Sequence, residues 1–204
     1  MPPEADMPGP IPPALGAVLL KLARAAITQK VGGRPSSAED AFVREALGDP
    51  ELQAPRATFV TLKRKGELRG CIGNLSACDP LARSVQRNAV NAAVCDPRFP
   101  ALEESELDRI TIEVSVLSEP RPLETRDAAD LARRLRPGVD GVVLRRGCAG
   151  ATFLPQVWEQ LPRPEDFLRH LCLKAGLPGD AWRQPGLEIS TYQVQHFEEE
   201  AGPA

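Results

Sequence analysis

With 204 residues, 42% of them hydrophobic and 26% charged, the chain has the size and composition of one globular domain, or of one domain with two lobes. A formal net charge of −3 gives no global basic field, which argues against wholesale binding of nucleic acid or of an anionic membrane. Five cysteines without a CxxC pair read as reduced cytoplasmic thiols, and His170 and His196 are too few for a His-rich metal centre, so no metal or cofactor is expected.

The start, Met1 to Asp6, has no basic segment feeding an apolar core, so no secretory signal is read there. No apolar run approaches the roughly 20 residues that span a bilayer. Proline-rich residues 1–13 predict a flexible leader, and 14–198 a single domain. Leu15, Val18, Leu19, Leu22, Ala26 and Ile27 recur at helical spacing, predicting a helix over 14–30 that Gly32-Gly33 stops. Ser37 to Asp40 reads as a capping box for a shorter helix with Phe42, Val43 and Leu47.

Arg56 to Lys63 is rich in β formers, with Phe59 and Thr61 on one face and Val60 and Leu62 on the other. Arg64-Lys65-Gly66 turns the chain and Leu68 to Ile72 returns as a hairpin. The returning stretch, Glu67-Leu68-Arg69-Gly70-Cys71-Ile72-Gly73-Asn74-Leu75, sets a cysteine between glycines and close to an arginine. Glycine permits positive φ and close approach to the backbone. A thiol beside a guanidinium is a candidate thiolate, while the plainer reading of Cys71 is a small packed residue.

Asp79-Pro80 opens a helix whose buried face carries Leu81, Val85, Ala89 and Ala92, and its N-terminal amides are expected near Cys71. Cys95 to Pro100 forms a turn, read either as a helix terminator or as the wall of a cleft holding Asp96 and Arg98. Arg109 to Leu117 alternates as a half-buried strand with Glu113 on its polar face. After a break at Glu119 to Pro122 comes a polar helix over 126–135. A second hairpin, Gly141 to Arg146 with Ala151 to Leu154, surrounds Gly147-Cys148-Ala149-Gly150. Pro164 opens a helix with Phe167, Leu168, Leu171 and Cys172 inward. Leu187 to Phe197 is expected as one last strand, with 199–204 a frayed tail. Hairpin, helix and strand thus occur twice. This predicts an α+β fold of mostly antiparallel sheet with flanking helices, in two pseudo-repeated lobes.

Several of these stretches, in this order, resemble the AMMECR family, also called AmmeMemoRadiSam system protein A. They are Leu68-Arg69-Gly70-Cys71-Ile72-Gly73, Asp96-Pro97-Arg98-Phe99-Pro100, Glu113 to Leu117, Gly138 to Gly141, Phe153 to Val157 and Phe167 to Leu177. The resemblance covers roughly residues 15–198. It implies one α+β unit of two lobes with the Leu68–Gly73 signature near the cleft between them. It also implies a role beside a Memo-like protein and a radical-SAM protein, its partners by gene company. At the second hairpin's tip relatives often carry a basic residue, which Gly147 to Gly150 here do not.

Two functional expectations follow. In the first the chain binds one of those partners, or a small molecule, around the signature, with Arg69, Gly70, Gly73, Asn74, Asp96 and Arg98 forming the binding surface. In the second it is an enzyme. Cys71 is then the nucleophile, Arg69 holds an anionic group, and Glu113 or Asp96 orients or deprotonates. The lack of a motif around either histidine weighs against an ordinary Cys/His hydrolase. Nucleic-acid binding ranks last, with Lys63-Arg64-Lys65 the one basic cluster and 4% aromatics.

Overall fold

The computed structural model describes residues 9–34 and 37–200. Most of the leader, residues 35 and 36 just before the expected capping box, and the last four residues therefore lie outside the described residues. The chain divides into two compact units, residues 1–117 with 195–204, and residues 118–194.

In the first unit, helices α1 (Pro13–Lys30), α2 (Ser37–Ala46) and α3 (Pro50–Gln53) precede the hairpin of β1 (Ala57–Arg64) and β2 (Glu67–Gly73). Lys65 and Gly66, at φ 54 and 80, make the tight turn whose twist suits a two-residue hairpin. Helix α4 (Leu81–Val94) and strand β3 (Ile110–Leu117) follow, and β8 (Val194–Glu198) completes a four-stranded sheet of order β2-β1-β3-β8. β1 is antiparallel to both β2 and β3. Val60, Leu62, Ile112 and Val114 turn one face of this sheet to α1 and α4, where Leu19, Leu22, Ile27, Leu81 and Val85 complete a core of fully buried side chains.

The second unit holds β4 (Arg121–Pro122), α5 (Ala128–Arg134), β5 (Gly141–Arg146), β6 (Ala149–Phe153), α6 (Pro164–Lys174) and β7 (Glu188–Tyr192), with sheet order β4-β7-β5-β6. β5 is antiparallel to β6 and β7. Its core gathers Val142, Leu144, Leu168 and Leu171 around Phe167, whose ring stacks on Trp158 with centroids 3.7 Å apart. Burying such a ring contributes roughly 1.5–3 kcal/mol. The Trp158 indole N–H donates to the Asp140 carbonyl at 2.7 Å, which satisfies the one polar group the ring brings inside.

The two sheets share the order hairpin partner, first hairpin strand, third strand, as the repeated element order predicts. Elsewhere the structure corrects the sequence reading. The single strand expected over Leu187–Phe197 is two strands, β7 and β8, in different sheets, parted at Gln193. Ile11, within the expected leader, is buried and exchanges two hydrogen bonds with the Gln195 side chain. Glu199, expected to fray, is held by Arg24 and by the Ile112 N–H at 2.9 Å. Among the described residues no helix is long and apolar enough to cross a membrane.

Candidate functional site

The signature lies on β2, at an edge of the first sheet, and its glycines are required by close packing. A Cβ on Gly70 would sit 2.2 Å from the carbonyl oxygen of Ala92 in the last turn of α4. One on Gly73 would sit 2.2 Å from the ring of Phe59. Neither glycine adopts positive φ, so of the two properties expected of them only close approach is used. Because Gly70 abuts the C-terminal turn of α4, the helix N-terminus is not the end beside Cys71. Its first amide, Leu81 N–H, donates instead to Ala54 O.

Arg69 is the extra residue of a β-bulge: Leu62 opposes Gly70, whereas Lys63 opposes Leu68. The bulge frees its side chain to turn inward. The guanidinium meets Glu106 through Nε at 3.1 Å and Nη2 at 2.9 Å, and donates to Pro100 O at 2.9 Å. This pair satisfies Arg69, and the guanidinium holds the Glu106 carboxyl below its usual range. Asp96 and Arg98 act on the free edge of the strand. The Cys71 N–H donates to Asp96 Oδ2 at 2.8 Å, while Arg98 donates to Cys71 O at 3.3 Å and to both Asp96 oxygens. Together they cover backbone groups that an edge strand would otherwise leave open. The Arg98 guanidinium, with the two backbone N–H groups, keeps buried Asp96 well below the usual carboxylate range. Asn74 ends the strand. Its Oδ1 accepts from Asn88 at 2.8 Å and Ser84 at 3.3 Å, joining a buried polar network with Thr58 that ties β1 to α4.

On the sheet face turned away from α1 and α4 the half-buried Cys71 begins a polar row. Thr61 stands opposite Cys71 on one side and Glu113 on the other. The Thr61 hydroxyl donates to Cys71 Sγ at 3.3 Å. Glu113 is bound by Lys63 Nζ at 2.8 Å and lies 3.4 Å from His196 Nδ1, which is 3.1 Å from Ser115 Oγ. These contacts, His196 first, lower the Glu113 carboxyl to about 2, and Glu113 with Glu198 raises the Lys63 ammonium. Ser115, His196 and Glu113 do not make a catalytic triad. Hydroxyl and carboxylate address the same ring nitrogen, whereas a triad uses opposite ones. Among the described residues the hydrogen-bond partner of the Cys71 thiol is the Thr61 hydroxyl, and the carboxylate beside Cys71 on the edge, Asp96, is taken up by the Cys71 N–H and by Arg98. Neighbouring strands are about 4.8 Å apart, so Glu113 lies about 10 Å away and His196 on β8 about 14 Å.

The structure thus gathers Arg69, Gly70, Cys71, Gly73, Asn74, Asp96 and Arg98 along β2 and its edge, and sets Glu113 two strands away. Sequence reasoning missed Glu106, Lys63 and His196. The alternation that puts Thr61 on one face puts Lys63 there too, so that residue was findable. His196 was hidden by reading β7 and β8 as one strand. Among the described residues no group of three or more His, Cys, Asp or Glu is arranged to hold a metal ion.

The AMMECR1 family model matches residues 20–197. A protein of Methanothermobacter thermautotrophicus is 40% identical over 190 residues, covering 91% of this chain and 94% of the relative. One from Thermofilum pendens is 38% identical over 201 residues, covering 90% and 89%. The crystal structure of an uncharacterised protein from Pyrococcus horikoshii superposes with a TM-score of 0.74 at 34% identity, covering 93% of this chain and 94% of that one.

Proposed function

This chain belongs to the AMMECR1 family, and from that premise we propose that it is the binding component of a cytoplasmic three-protein system with a Memo-like and a radical-SAM protein. It receives its partner, or a small molecule passed between them, at the surface around Leu68–Gly73. One observation carries the reading. The polar groups of the signature are taken up by internal contacts, Arg69 with Glu106 and Pro100 O, the Cys71 backbone with Asp96 and Arg98, and the adjoining Asn74 with Asn88, and among the described residues the hydrogen-bond partner of the Cys71 thiol is the Thr61 hydroxyl. That is the build of a shaped, stiff surface. Two large apolar side chains, Leu68 and Leu75, flank it at 43% and 45% exposure, and apolar groups so placed favour association.

The test is a calorimetric titration with the cognate Memo-like protein. Leu68→Glu and Leu75→Glu are expected to weaken binding by about tenfold or more, since a charge there must be desolvated on docking. Arg145→Ala, in the second unit, is expected to leave it unchanged. Arg69→Ala is a poor probe, because it strands Glu106 and reports on folding. Equal affinity of the folded leucine variants and the parent would remove the signature from the interface. A second reading, an enzyme with Cys71 as nucleophile, is favoured by the Thr61 hydroxyl, which donates to Sγ and fixes the thiol's orientation. Turnover by the isolated chain that Cys71→Ala abolishes would put that reading first.

A further inference from the structure

The second sheet ends in β6, which has β5 on one side and no strand on the other. Thr152 O accepts from Lys174 Nζ at 3.0 Å, outside the ladder, so Thr152 turns its backbone groups away from β5. Alternation along the strand turns those of Gly150 the same way. Among the described residues nothing takes the Thr152 N–H or either backbone group of Gly150, which is exposed. At the edge of the first sheet, by contrast, Asp96 and Arg98 take both backbone groups of Cys71. Ala149-Gly150-Ala151-Thr152-Phe153 carries no charge and no proline of its own, and a row of open N–H and C=O groups is a template for another strand. The charge laid against it comes from α6. The Lys174 ammonium is exposed, and its contacts are the Thr152 carbonyl and the Phe153 ring, 5.0 Å from the centroid, so among the described residues it has no carboxylate.

We propose that β6 is a docking edge for an extended segment of a partner protein, which adds as a further strand and sets one acidic side chain on Lys174. Its N–H takes Thr152 O and frees the ammonium for that carboxylate, and its C=O groups take the open Thr152 and Gly150 N–H. The charge count supports the acid. Residues 118–194 hold eleven Arg and Lys against ten Asp and Glu, a net +1, so the −3 of the whole chain resides outside this unit. At physiological salt, charges more than about 8 Å apart are largely screened. Near the edge Arg145 stands opposite Glu188, Arg146 donates to the carbonyls of Ala181 and Pro185, and Arg163, Arg169 and Arg183 share a groove with Glu165, Asp166 and Asp180. Lys174 is left without an answering charge. A second copy of this chain fits less well, because antiparallel pairing of two β6 strands sets two such ammonium groups on one strand pair. The edge belongs to the second unit and does not depend on the signature.

The experiment selects binders of the full chain from a displayed library of short random peptides, then follows the labelled winners by fluorescence polarisation and amide exchange. Expected winners carry an acid flanked by valine, isoleucine or threonine, lack proline, and slow exchange of the Gly150 and Thr152 amides. Lys174→Glu is expected to lower their affinity by about tenfold or more, and a lysine in place of the peptide's acid to restore it. Gly150→Pro removes one outward N–H, leaves the ladder to β5 intact, and is expected to weaken binding as much. Lys174→Glu alters an exposed side chain and serves if the proline unfolds the unit. Leu68→Glu binds the peptides like the parent, so the outcome is separable from that of the signature test. Four results would each overturn the proposal. They are a library that yields no peptide protecting both amides, equal binding by the folded Lys174→Glu variant, undiminished binding by a folded Gly150→Pro variant, and protection of the two amides that rises with protein concentration alone.

Discussion

In the first sheet Thr61 is flanked by Cys71 and Glu113, and at the comparable place in the second Val143 is flanked by Thr152 and Ser190. The order of strands is the same, and so is the helix-bearing face, but the opposite faces are furnished differently. The first carries a thiol, a carboxylate, an ammonium and an imidazole. On the second, Val143, Thr152 and Ser190 lie across the middle with the Arg145–Glu188 register pair beyond them; the Tyr192 ring lies over Gly141, and its hydroxyl meets Thr152 Oγ1 and Phe153 O, both at 3.1 Å. Edge protection differs too. At Thr152 the exposed Lys174 ammonium donates to the carbonyl at 3.0 Å, whereas at Cys71 a buried aspartate and an arginine take both N–H and C=O. A repeated topology is thus compatible with one face equipped with a thiol, a carboxylate, an ammonium and an imidazole in a row and one without that row. The equipped face is the one whose edge residue is fixed from both sides.

The largest expected effect sets the hairpin glycines against each other. Gly70→Val must push a branched side chain into the Ala92 carbonyl and is expected to destabilise by more than about 4 kcal/mol or to prevent folding. Gly150→Ala places its Cβ 3.3 Å from the nearest atom, Leu144 O. That change is expected to stay within about 1 kcal/mol. Thermal melts of both decide it, and similar midpoints would refute the asymmetry.

Next come the edges. Asp96→Asn withdraws a buried, charge-assisted acceptor from Cys71 N–H and Arg98, and is expected to cost about 2 kcal/mol and speed exchange of the Cys71 amide. Lys174→Ala is expected to cost about 0.5 kcal/mol or less. Hydrogen exchange at the two edge residues is the readout. An unaltered Cys71 amide in the Asp96 variant would show that the clamp holds nothing.

A smaller effect separates the faces by pH. The folded-state pKa of Glu113 lies below its ordinary 4.5, at about 2. The unfolded chain therefore binds the extra proton, and the stabilisation is complete above about 4.5 and lost as the pH falls towards 2. After discounting for partial exposure it amounts to about 1–2 kcal/mol. Glu113→Gln should flatten the acid limb of the stability curve, whereas Ser190→Ala in the second sheet should not. Identical acid limbs for Glu113→Gln and the parent would count against the Lys63–Glu113–His196 contacts.

The smallest effects are in the thiols. Cys172 is buried, and burial raises its pKa, so it should label with iodoacetamide at least about tenfold more slowly than Cys78, Cys95 and Cys148, which are exposed. Cys71, half-buried, should fall between. If it labels as slowly as Cys172, the signature thiol is a packing residue.

Strand alternation, turn glycines and prolines made the repeated hairpin, helix and strand legible, because those signals are local. Residues 67–75 were equally legible as a place. Their bonding was not. A single bulge at Arg69 redirects its guanidinium to Glu106, 37 residues on, and nothing in the sequence separates that glutamate from Glu103 or Glu104. Asp96 and Arg98 read as parts of a cleft wall, but the structure bonds them to the Cys71 backbone, a long-range pairing without local trace. Cys95, which opens the expected turn, is exposed at the C-cap of α4.

The strand that completes the first sheet is made last. β8 begins only after Ser118–Gln193, so during synthesis at about 5–20 residues per second β3 waits roughly 4–15 s with its outer edge bare. A bare edge recruits other strands. The nascent protein therefore passes through an interval in which its first unit is three strands wide. In that interval Glu113 lacks His196, and Arg24 lacks Glu199. By contrast the second unit is self-contained once emerged, its ends joined by Ser118 N–H to Gln193 O and Gln193 N–H to Ser118 Oγ, both 2.9 Å. A chain cut short after residue 193 would therefore carry all the strands of its second unit on a first unit that lacks its fourth strand.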